Sequence, residues 1–263
     1  MGRIIAIANQ KGGVGKTTTA VNLCACLTQL GKKTLAVDFD PQGNTTSGLG
    51  VDKDSLDFSV YDLLLRQCYI EDALRGTSVA GLSLLPSNID LSGAEIELIS
   101  AERREYVLKG ILDNAKYLYE YIVIDCPPSL SILTLNALTA ADGIIVPIQC
   151  EYYALEGLTQ LLRTVELVQK RLNPFLKLDG ILFTMFDGRA NLSMQVVDEV
   201  KKHMAKNVFS TIIPRNVRLS EAPSHGLPAA LYDPKSKGAE AYQALAREIA
   251  GVQCNMDKHG HMA

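Results

Sequence analysis

The stretch NQKGGVGKTTTAVNL, Asn9 to Leu23, places a cluster of glycines between an apolar run and a run with helical spacing. Before it, RIIAIA has the composition of a short buried strand. After it, TTTAVNLCACLTQLG is typical of a helix that ends at Gly31. A glycine loop between a strand and the first turn of a helix presents unpaired N–H groups, which bind anions. The stretch therefore predicts a phosphate-binding loop.

The loop departs by one position from the usual pattern, G-x-x-x-x-G-K-[ST]. Gly15, Lys16 and Thr17 fit the second half, but Gln10 stands where the leading glycine belongs. In the usual pattern the lysine reaches the outer phosphates and the hydroxyl group binds Mg²⁺. An additional lysine, Lys11, precedes the glycines, and one lysine is enough to hold a phosphate. The pattern alone gives this first lysine no role.

Apolar runs with strand composition alternate with helical patterns along the rest of the chain. The runs are KTLAVDFD, LSLLPS, YIVIDCPP, GIIVPIQ and LDGILFTMF, and helical spacing recurs in DNAKYLYE and YYALEGLTQLLRTVELVQKRL. Such alternation predicts an α/β fold with a doubly wound, mostly parallel sheet flanked by helices on both faces. Since no repeat or linker divides the sequence, we expect one domain over residues 1–250 and a polar, disordered tail over residues 251–263.

The composition is that of a globular protein, with 47% hydrophobic and 21% charged residues in a chain of 263. No apolar run approaches the roughly 18 residues of a membrane span, and the N-terminal stretch lacks a signal-peptide pattern. The six cysteines show no C-x-x-C spacing, which predicts reduced thiols. We therefore expect a cytoplasmic location without a membrane partner.

Aspartates follow two of the predicted strands. Asp38 ends one strand, Asp40 lies just beyond it, and Asp125 follows the four apolar residues of YIVI. Ligands of parallel sheets bind outside the carboxyl ends of the strands. A carboxylate there can hold Mg²⁺ through water or orient an attacking water, as phosphoryl transfer requires. The alternative is that these aspartates cap or brace the following turns, and for Asp38 the two interpretations are equally open.

Five motifs in order cover nearly the whole chain: NQKGGVGKTTTAVNL, VDFDPQGNTTSGLG, YIVIDCPPSL, PIQCEYYALEG and IPRNVRLSEAPSHGLP. With them the chain resembles the deviant Walker A ATPases, a class of P-loop NTPases, and within that class the ParA/Soj chromosome and plasmid partitioning ATPases. The resemblance implies a Mg²⁺-dependent ATPase whose cofactors are ATP and Mg²⁺.

The resemblance also implies a role for Lys11. In the family this lysine reaches across an ATP-sandwich homodimer to the phosphates bound by the other subunit. A cation supplied in trans offsets charge on the transferring phosphoryl group, as an arginine finger does. Gly12 and Gly13 are then expected to permit close approach of the two loops.

The remaining site residues are carried over from the same motifs. Lys16 would bind the β- and γ-phosphates, Thr17 would ligate Mg²⁺, and Thr18 would contact the α-phosphate. Asp40 in the first switch would position the hydrolytic water, and Asp125 in the second switch would support the metal through water. The expected nucleotide-binding set is Lys11, Gly12, Gly13, Val14, Gly15, Lys16, Thr17, Thr18, Pro214 and Asn216, of which the last two would flank the adenine. The segment IPRNV also fits an ordinary strand-to-loop connection.

Charge is distributed unevenly along the sequence. Residues 189–247 hold nine Lys/Arg against five Asp/Glu, so this segment carries +4 and the rest −7 of the net −3. Solvated helix faces explain part of this bias. Arg189 and Arg218 match arginines that bind DNA in close relatives. The resemblance therefore implies ATP-dependent, non-specific binding to double-stranded DNA, a nucleoid-associated location, and stimulation of hydrolysis by a ParB-like centromere-binding protein.

Three other function classes share this type of loop. A MinD-like membrane-positioning ATPase would end in a basic amphipathic helix, and the tail here has neither the charge nor the apolar face. A reductase like the nitrogenase iron protein would need cysteines that bridge a dimer with a cluster, and only Cys126 lies beside a switch motif. A small-molecule kinase or amide ligase would need a substrate pocket, which a single sequence does not reveal.

Overall fold

The computed structural model describes residues 1–151 and 154–252. One seven-stranded sheet runs through this part of the chain, with the order β3-β4-β2-β5-β1-β6-β7. The strands are β1 (Arg3–Ile7), β2 (Thr34–Asp38), β3 (Arg75–Gly76), β4 (Leu82–Leu85), β5 (Tyr121–Asp125), β6 (Gly143–Gln149) and β7 (Lys177–Thr184). All neighbouring strands pair in parallel except β3 and β4. The predicted mostly parallel α/β sheet is confirmed.

Helices connect the strands and cover the sheet. They are α1 (Lys16–Gln29), α2 (Asn44–Gly48), α3 (Val60–Leu64), α4 (Ile70–Ala73), α5 (Leu91–Glu97), α6 (Val107–Ala115), α7 (Ile132–Ala140), α8 (Ala154–Arg171), α9 (Asn191–Met204), α10 (Arg218–Glu221), α11 (Ala229–Tyr232) and α12 (Lys237–Ala250). Short 3₁₀ turns lie at Lys53–Ser55, Leu98–Ser100, Arg104–Tyr106, Ala205–Asn207 and Ala222–His225.

Two hydrophobic cores lie on opposite faces of the sheet. Strand side chains alternate between the faces, so Ile4 packs into one core and Ile5 into the other. Helices α1 and α12 cover the face of Ile5, whereas α6, α7 and α8 cover the face of Ile4. Because both faces are covered, β1 and β5 are apolar almost throughout, as expected for central parallel strands.

One expectation about local structure needs revision. The pattern DNAKYLYE predicted a helix over residues 113–120, but α6 ends at Ala115 and the chain turns before β5 begins at Tyr121. The carbonyl of Lys116 accepts a hydrogen bond from Gly2 N, just before β1, at 2.8 Å, so an acceptor that a longer helix would have used internally is taken by another segment. Most of the expected tail, residues 253–263, lies outside the described residues.

Among the described residues, no helix combines the length and the apolar character needed to cross a membrane.

Candidate nucleotide site

The glycine loop joins β1 to α1 through two left-handed residues. Gly13 has φ +74° and Gly15 has φ +87°, a region that side chains other than glycine rarely occupy. Helix α1 begins directly after, at Lys16, and within the described chain no side chain caps its first turn. The unpaired N–H groups and the positive end of the helix dipole therefore face the loop, as an anion site requires.

Lys16 points inward beneath the loop. Its Nζ donates a hydrogen bond to the carbonyl of Lys11 at 3.0 Å, and its side chain is buried. Burial lowers the pKa of Lys16, while Asp125 and Asp40 act in the opposite direction. The nearby carboxylates thus favour the charged form of a lysine placed where phosphates would lie.

Lys11 points the other way, toward solvent. Its Nζ lies 2.5 Å from Oε2 of Glu151, which follows β6, and the two side chains are 39% and 54% exposed. An exposed ion pair of this kind contributes only about 0–1 kcal/mol, so Lys11 can leave it at little cost. The sequence did not predict this contact, because 140 positions separate the two residues and no motif links them.

Gly12 has no steric reason to be glycine within the described chain. A Cβ added there would meet no described atom within 4 Å, and its φ is not among the positive values. The same open space surrounds Gly13, although its positive φ accounts for that glycine. Among the described residues, the loop therefore has open space at Gly12 and Gly13, next to Lys11 in sequence.

The structure brings the predicted aspartates together at the carboxyl ends of neighbouring strands. Asp38 and Asp125 are paired across β2 and β5, and both are buried. Oδ2 of Asp125 accepts a hydrogen bond from Thr45 Oγ1 at 2.8 Å, whereas its buried Oδ1 has no partner among the described residues. Burial, followed by the charge of Asp38, raises the pKa of Asp125, and the hydroxyl groups of Thr45 and Thr17 act in the opposite direction.

Asp38 braces the turn that follows β2. It accepts hydrogen bonds from Thr46 N and Thr46 Oγ1, both at 2.7 Å, and from Asp40 N at 3.3 Å. Burial raises the pKa of Asp38, and these hydrogen bonds to the charged carboxylate partly offset that rise. Of the two interpretations left open, the geometry supports bracing.

Asp40 is nearly buried and is held at two points. Its Oδ1 accepts a hydrogen bond from Gln42 N at 2.9 Å, and its carbonyl accepts one from Ser87 Oγ at 2.9 Å. Ser87 also donates its N–H to Thr46 Oγ1 at 3.0 Å. Asp40 therefore caps its own turn while its second carboxylate oxygen remains available. Sequence reasoning missed Thr45, Thr46 and Ser87, since short polar residues near turns give no distinctive signal.

A cavity of about 150 Å³ opens beside the start of α1. Its lining includes Pro214 and Asn216 together with Thr18, Met185 and Tyr242. Pro214 also forms a bridge with Phe186, just beyond β7. The two residues expected to flank an adenine thus lie next to the phosphate loop, although nearly 200 positions separate them from it in sequence.

The two predicted DNA-binding arginines are exposed, and each contacts an acidic neighbour. Arg189 Nε and Nη2 bond Asp187 at 3.0 and 2.9 Å. Arg218 Nη1 lies 2.7 Å from Glu221, and its Nε lies 3.3 Å from Asp233. These pairs reduce the local positive charge that each arginine presents to solvent.

The site's residues suit a metal held mainly by a bound phosphate. No three His, Cys, Asp or Glu side chains among the described residues form a metal cage by themselves. The hydroxyl of Thr17 and the unpartnered Oδ1 of Asp125 are oxygen ligands of the kind that Mg²⁺ prefers, directly or through water. The donor set fits a Mg²⁺–nucleotide complex.

This geometry is that of a P-loop nucleotide-binding protein. A family model described as AAA domain (AAA_31) matches residues 2–178. The sporulation initiation inhibitor protein Soj of Bacillus subtilis is 59% identical over 250 residues, which is 95% of this chain and 99% of that protein. The chromosome partitioning protein ParA of Myxococcus xanthus is 55% identical, over 95% of this chain and 88% of that one. The chain belongs to the Soj/ParA family of chromosome-partitioning ATPases.

Solved structures share the fold. A structure of cobyrinic acid a,c-diamide synthase from Mycobacterium smegmatis with bound ADP and magnesium has a TM-score of 0.84 and 43% sequence identity. The match covers 96% of this chain and 97% of that one.

Proposed function

We propose that this chain is a Mg²⁺-dependent ATPase that forms an ATP-sandwich homodimer, binds DNA without sequence preference and drives segregation of a chromosome or plasmid. One observation carries the proposal: the two lysines of the loop point in opposite directions. Lys16 is buried beneath the loop, whereas Lys11 is half exposed and forms a surface ion pair with Glu151. Lys16 serves the nucleotide of its own chain, and Lys11 is available to a second chain.

Nucleotide binding rests on the loop amides, Lys16 and Thr18, with Pro214 and Asn216 at the adenine. The M. smegmatis structure, at 43% identity, holds ADP and magnesium, which supports the same pair of cofactors here. Mg²⁺ supplies charge neutralisation between the outer phosphates. Thr17 and, through water, Asp125 and Asp40 would hold it.

The open space at the glycine loop supports the proposal of a dimer. Gly12 and Gly13 leave open space beside Lys11, which two loops facing each other would need. An exposed salt bridge releases Lys11 at low cost, and a desolvated phosphate is a stronger partner than an exposed carboxylate. In this assembly Lys11 offsets charge on the phosphoryl group bound by the partner subunit.

Hydrolysis is assigned to Asp40. Its Oδ1 caps the turn and its carbonyl is held by Ser87, so the free carboxylate oxygen has a fixed position from which to orient water. Lys16 and the Lys11 of the second chain stabilise the negative charge that develops as the bond between the γ-phosphoryl group and ADP breaks.

DNA binding is assigned to residues 189–247, with Arg189 and Arg218 as contacts. A dimer places two copies of this +4 segment on one face and so doubles the positive charge that faces DNA. Because the dimer forms with ATP, DNA binding depends on ATP. A ParB-like centromere-binding protein then stimulates hydrolysis, and the chain resides on the nucleoid in the cytoplasm. We assign these activities to one domain spanning residues 1–250.

The rival functions make different demands. Cys126 is fully buried and its pKa is raised by burial, so it is poorly placed to bridge a dimer through an iron–sulfur cluster. A MinD-like ATPase would bind lipid vesicles when loaded with ATP, and an amide synthase would turn over ATP only with its acid substrate and an amide donor.

Co-sedimentation with DNA in ATP, ADP and no nucleotide, at two salt concentrations, tests the proposal. We expect the protein to bind DNA with ATP but not with ADP or without nucleotide, and we expect salt to weaken this binding. A parallel series with anionic vesicles measures membrane binding. Binding that is independent of nucleotide, or binding to vesicles instead of DNA, would contradict the proposed function.

A further inference from the structure

The carboxyl ends of β6 and β7 lie against the phosphate loop. Gln149 ends β6, Thr184 ends β7, and the two residues are paired across these strands. Thr184 is buried, and a Cβ added to Gly15 would meet its side chain at 3.7 Å, an ordinary packing distance. The loop therefore rests directly on a threonine that sequence reasoning did not assign to the site.

The side chain of Thr184 holds one carbonyl of the loop. Its Oγ1 lies 2.8 Å from the carbonyl oxygen of Val14 and 3.1 Å from that of Ile148. A hydroxyl group has one hydrogen to donate, and the carbonyl of Val14 is the nearer acceptor. Val14 is itself buried, so removal of this hydroxyl would leave a buried carbonyl without its partner.

The direction of that carbonyl determines the direction of the next N–H group. A peptide unit is planar and trans, so the carbonyl of Val14 and the N–H of Gly15 point in opposite directions. The N–H of Gly15 therefore points away from Thr184, and it forms no hydrogen bond within residues 1–151 and 154–252. Gln149 acts in the same way one residue earlier, since its Nε2 donates to the carbonyl of Gly13 at 3.0 Å. Backbone N–H groups fixed in this way are suited to binding an anion.

The residue after Thr184 forms part of the cavity beside α1. Met185 has φ +50°, a left-handed conformation that residues other than glycine adopt at a cost. It lines the cavity of about 150 Å³ together with Gly15, Thr18 and Thr184, and its Sδ contacts Nε2 of Gln149. Such strain persists only where the surrounding structure enforces it. The end of β7 thus fixes both the phosphate loop and one wall of this cavity.

We propose that Thr184 is a positioning residue for nucleotide binding. Its hydroxyl group turns the peptide unit between Val14 and Gly15 so that the N–H of Gly15 donates to a phosphate of the bound nucleotide. This inference rests on the nucleotide site of the proposed function and adds a residue to that site. Thr184 acts through the backbone of the loop, because its own hydroxyl is engaged by Val14.

Two substitutions separate the hydroxyl group of Thr184 from its methyl group. Thr184→Val keeps the shape and removes the donor, whereas Thr184→Ser keeps the donor and removes the methyl group. Thr139→Val is the matched control, because Thr139 is buried in α7 and its Oγ1 also donates to a carbonyl, that of Leu135, at 2.7 Å. Calorimetry with ADP and Mg²⁺ measures the affinity of each full-length variant, and thermal unfolding establishes that each one is folded.

We expect Thr184→Val to weaken ADP binding by about tenfold or more, the range for a hydrogen bond to a charged group. Thr184→Ser should retain most of the wild-type affinity, and Thr139→Val should bind ADP as the wild type does. NMR of the wild type gives a second readout that needs no substitution in the site. The amide proton signal of Gly15 should move downfield when ADP and Mg²⁺ bind.

Wild-type ADP affinity in Thr184→Val would overturn the inference. An equal or greater loss in Thr184→Ser would also overturn it, because the effect would then belong to packing of the methyl group. An amide signal of Gly15 that does not move on ADP binding would contradict the predicted hydrogen bond. A wild-type chain that binds neither ADP nor ATP would instead reject the nucleotide site of the proposed function, so the two failures are distinguishable.

Discussion

Lys11 and Glu151 form an exposed ion pair within one chain, with Nζ and Oε2 separated by 2.5 Å. The lysine that belongs to a phosphate loop thus contacts a carboxylate beyond β6 instead of the nucleotide site. The pair keeps a cation near the loop, and its low stability allows exchange for a stronger anionic partner. This arrangement supports the proposal that the two lysines of the loop have separate roles.

Lys16→Ala should abolish ATP binding. The variant removes the buried cation that lies beneath the loop and leaves the nearby carboxylates of Asp125 and Asp40 without it. Calorimetry should show an affinity loss of at least about a hundredfold, consistent with removing one partner of a buried charge pair. Lys177→Ala, at the start of β7, is the matched control and should bind ATP normally. Unchanged ATP affinity in Lys16→Ala would refute the assignment.

Asp40→Ala should bind ATP and form dimers but lose turnover by about a hundredfold or more, the range for a positioned general base. Asp40→Asn separates two roles, because an amide oxygen still caps Gln42 N but carries no negative charge. Steady-state ATPase assays with both variants provide the measurement. If Asn restored full activity, Asp40 would be a turn cap and no more.

Asp125→Asn should stabilise the nucleotide-free protein and impair Mg²⁺-dependent hydrolysis. The substitution replaces a buried carboxylate whose Oδ1 has no partner among the described residues with a neutral group of the same shape. A gain of about 1–2 kcal/mol would raise the thermal midpoint by a few degrees. Calorimetry without nucleotide and ATPase assays over a Mg²⁺ titration check both effects. A lower midpoint would contradict this account of the carboxylate.

The pH dependence of stability has a defined sign. Burial raises the pKa of Asp125 above its ordinary 3.8, so between the ordinary and the raised value the folded chain binds more protons than the unfolded chain. The free energy of unfolding of the nucleotide-free protein should therefore fall as pH rises through this window. Asp125→Asn should flatten the dependence in denaturant titrations at several pH values. An unchanged slope would assign the dependence to other groups.

Arg218→Ala should leave the ATP dimer intact and weaken DNA binding about equally for all sequences. A phosphate contact carries no sequence information, and the salt slope should fall by about one for each DNA phosphate that the variant no longer binds. Arg75→Ala, on the far edge strand β3, should behave as wild type. Glu221→Gln should strengthen binding because it removes one acidic partner of Arg218. A sequence-dependent effect of Arg218→Ala would argue against binding to the DNA backbone.

The sequence predicted the sheet and the loop because both depend on local patterns. Apolar runs such as RIIAIA and YIVID specify strands, and positive φ at Gly13 and Gly15 follows from a turn that joins a strand to a helix. Asp38 and Asp125 were predicted to end their strands on the side where ligands bind, and the structure pairs them there because parallel strands end at one edge.

Contacts between distant turns were not predictable in the same way. Ser87 meets Asp40 because β4 lies beside β2, and strand order is not encoded in any local pattern. Glu151 meets Lys11 for a similar reason, since β6 lies beside β1. The predicted end of α6 was wrong because the carbonyl of Lys116 accepts a hydrogen bond from Gly2, which lies before β1 and far from Lys116 in sequence.

Light scattering of Lys11→Ala with ATP and Mg²⁺, read together with salt-titrated DNA binding, tests the central claim most directly. The variant should still bind ATP through Lys16 and the loop amides. Its mass should remain that of a monomer where the wild type doubles, and its DNA binding should fall although Lys11 touches no DNA. A Lys11→Ala protein that dimerises with ATP and binds DNA like the wild type would contradict the account of a lysine acting across the dimer.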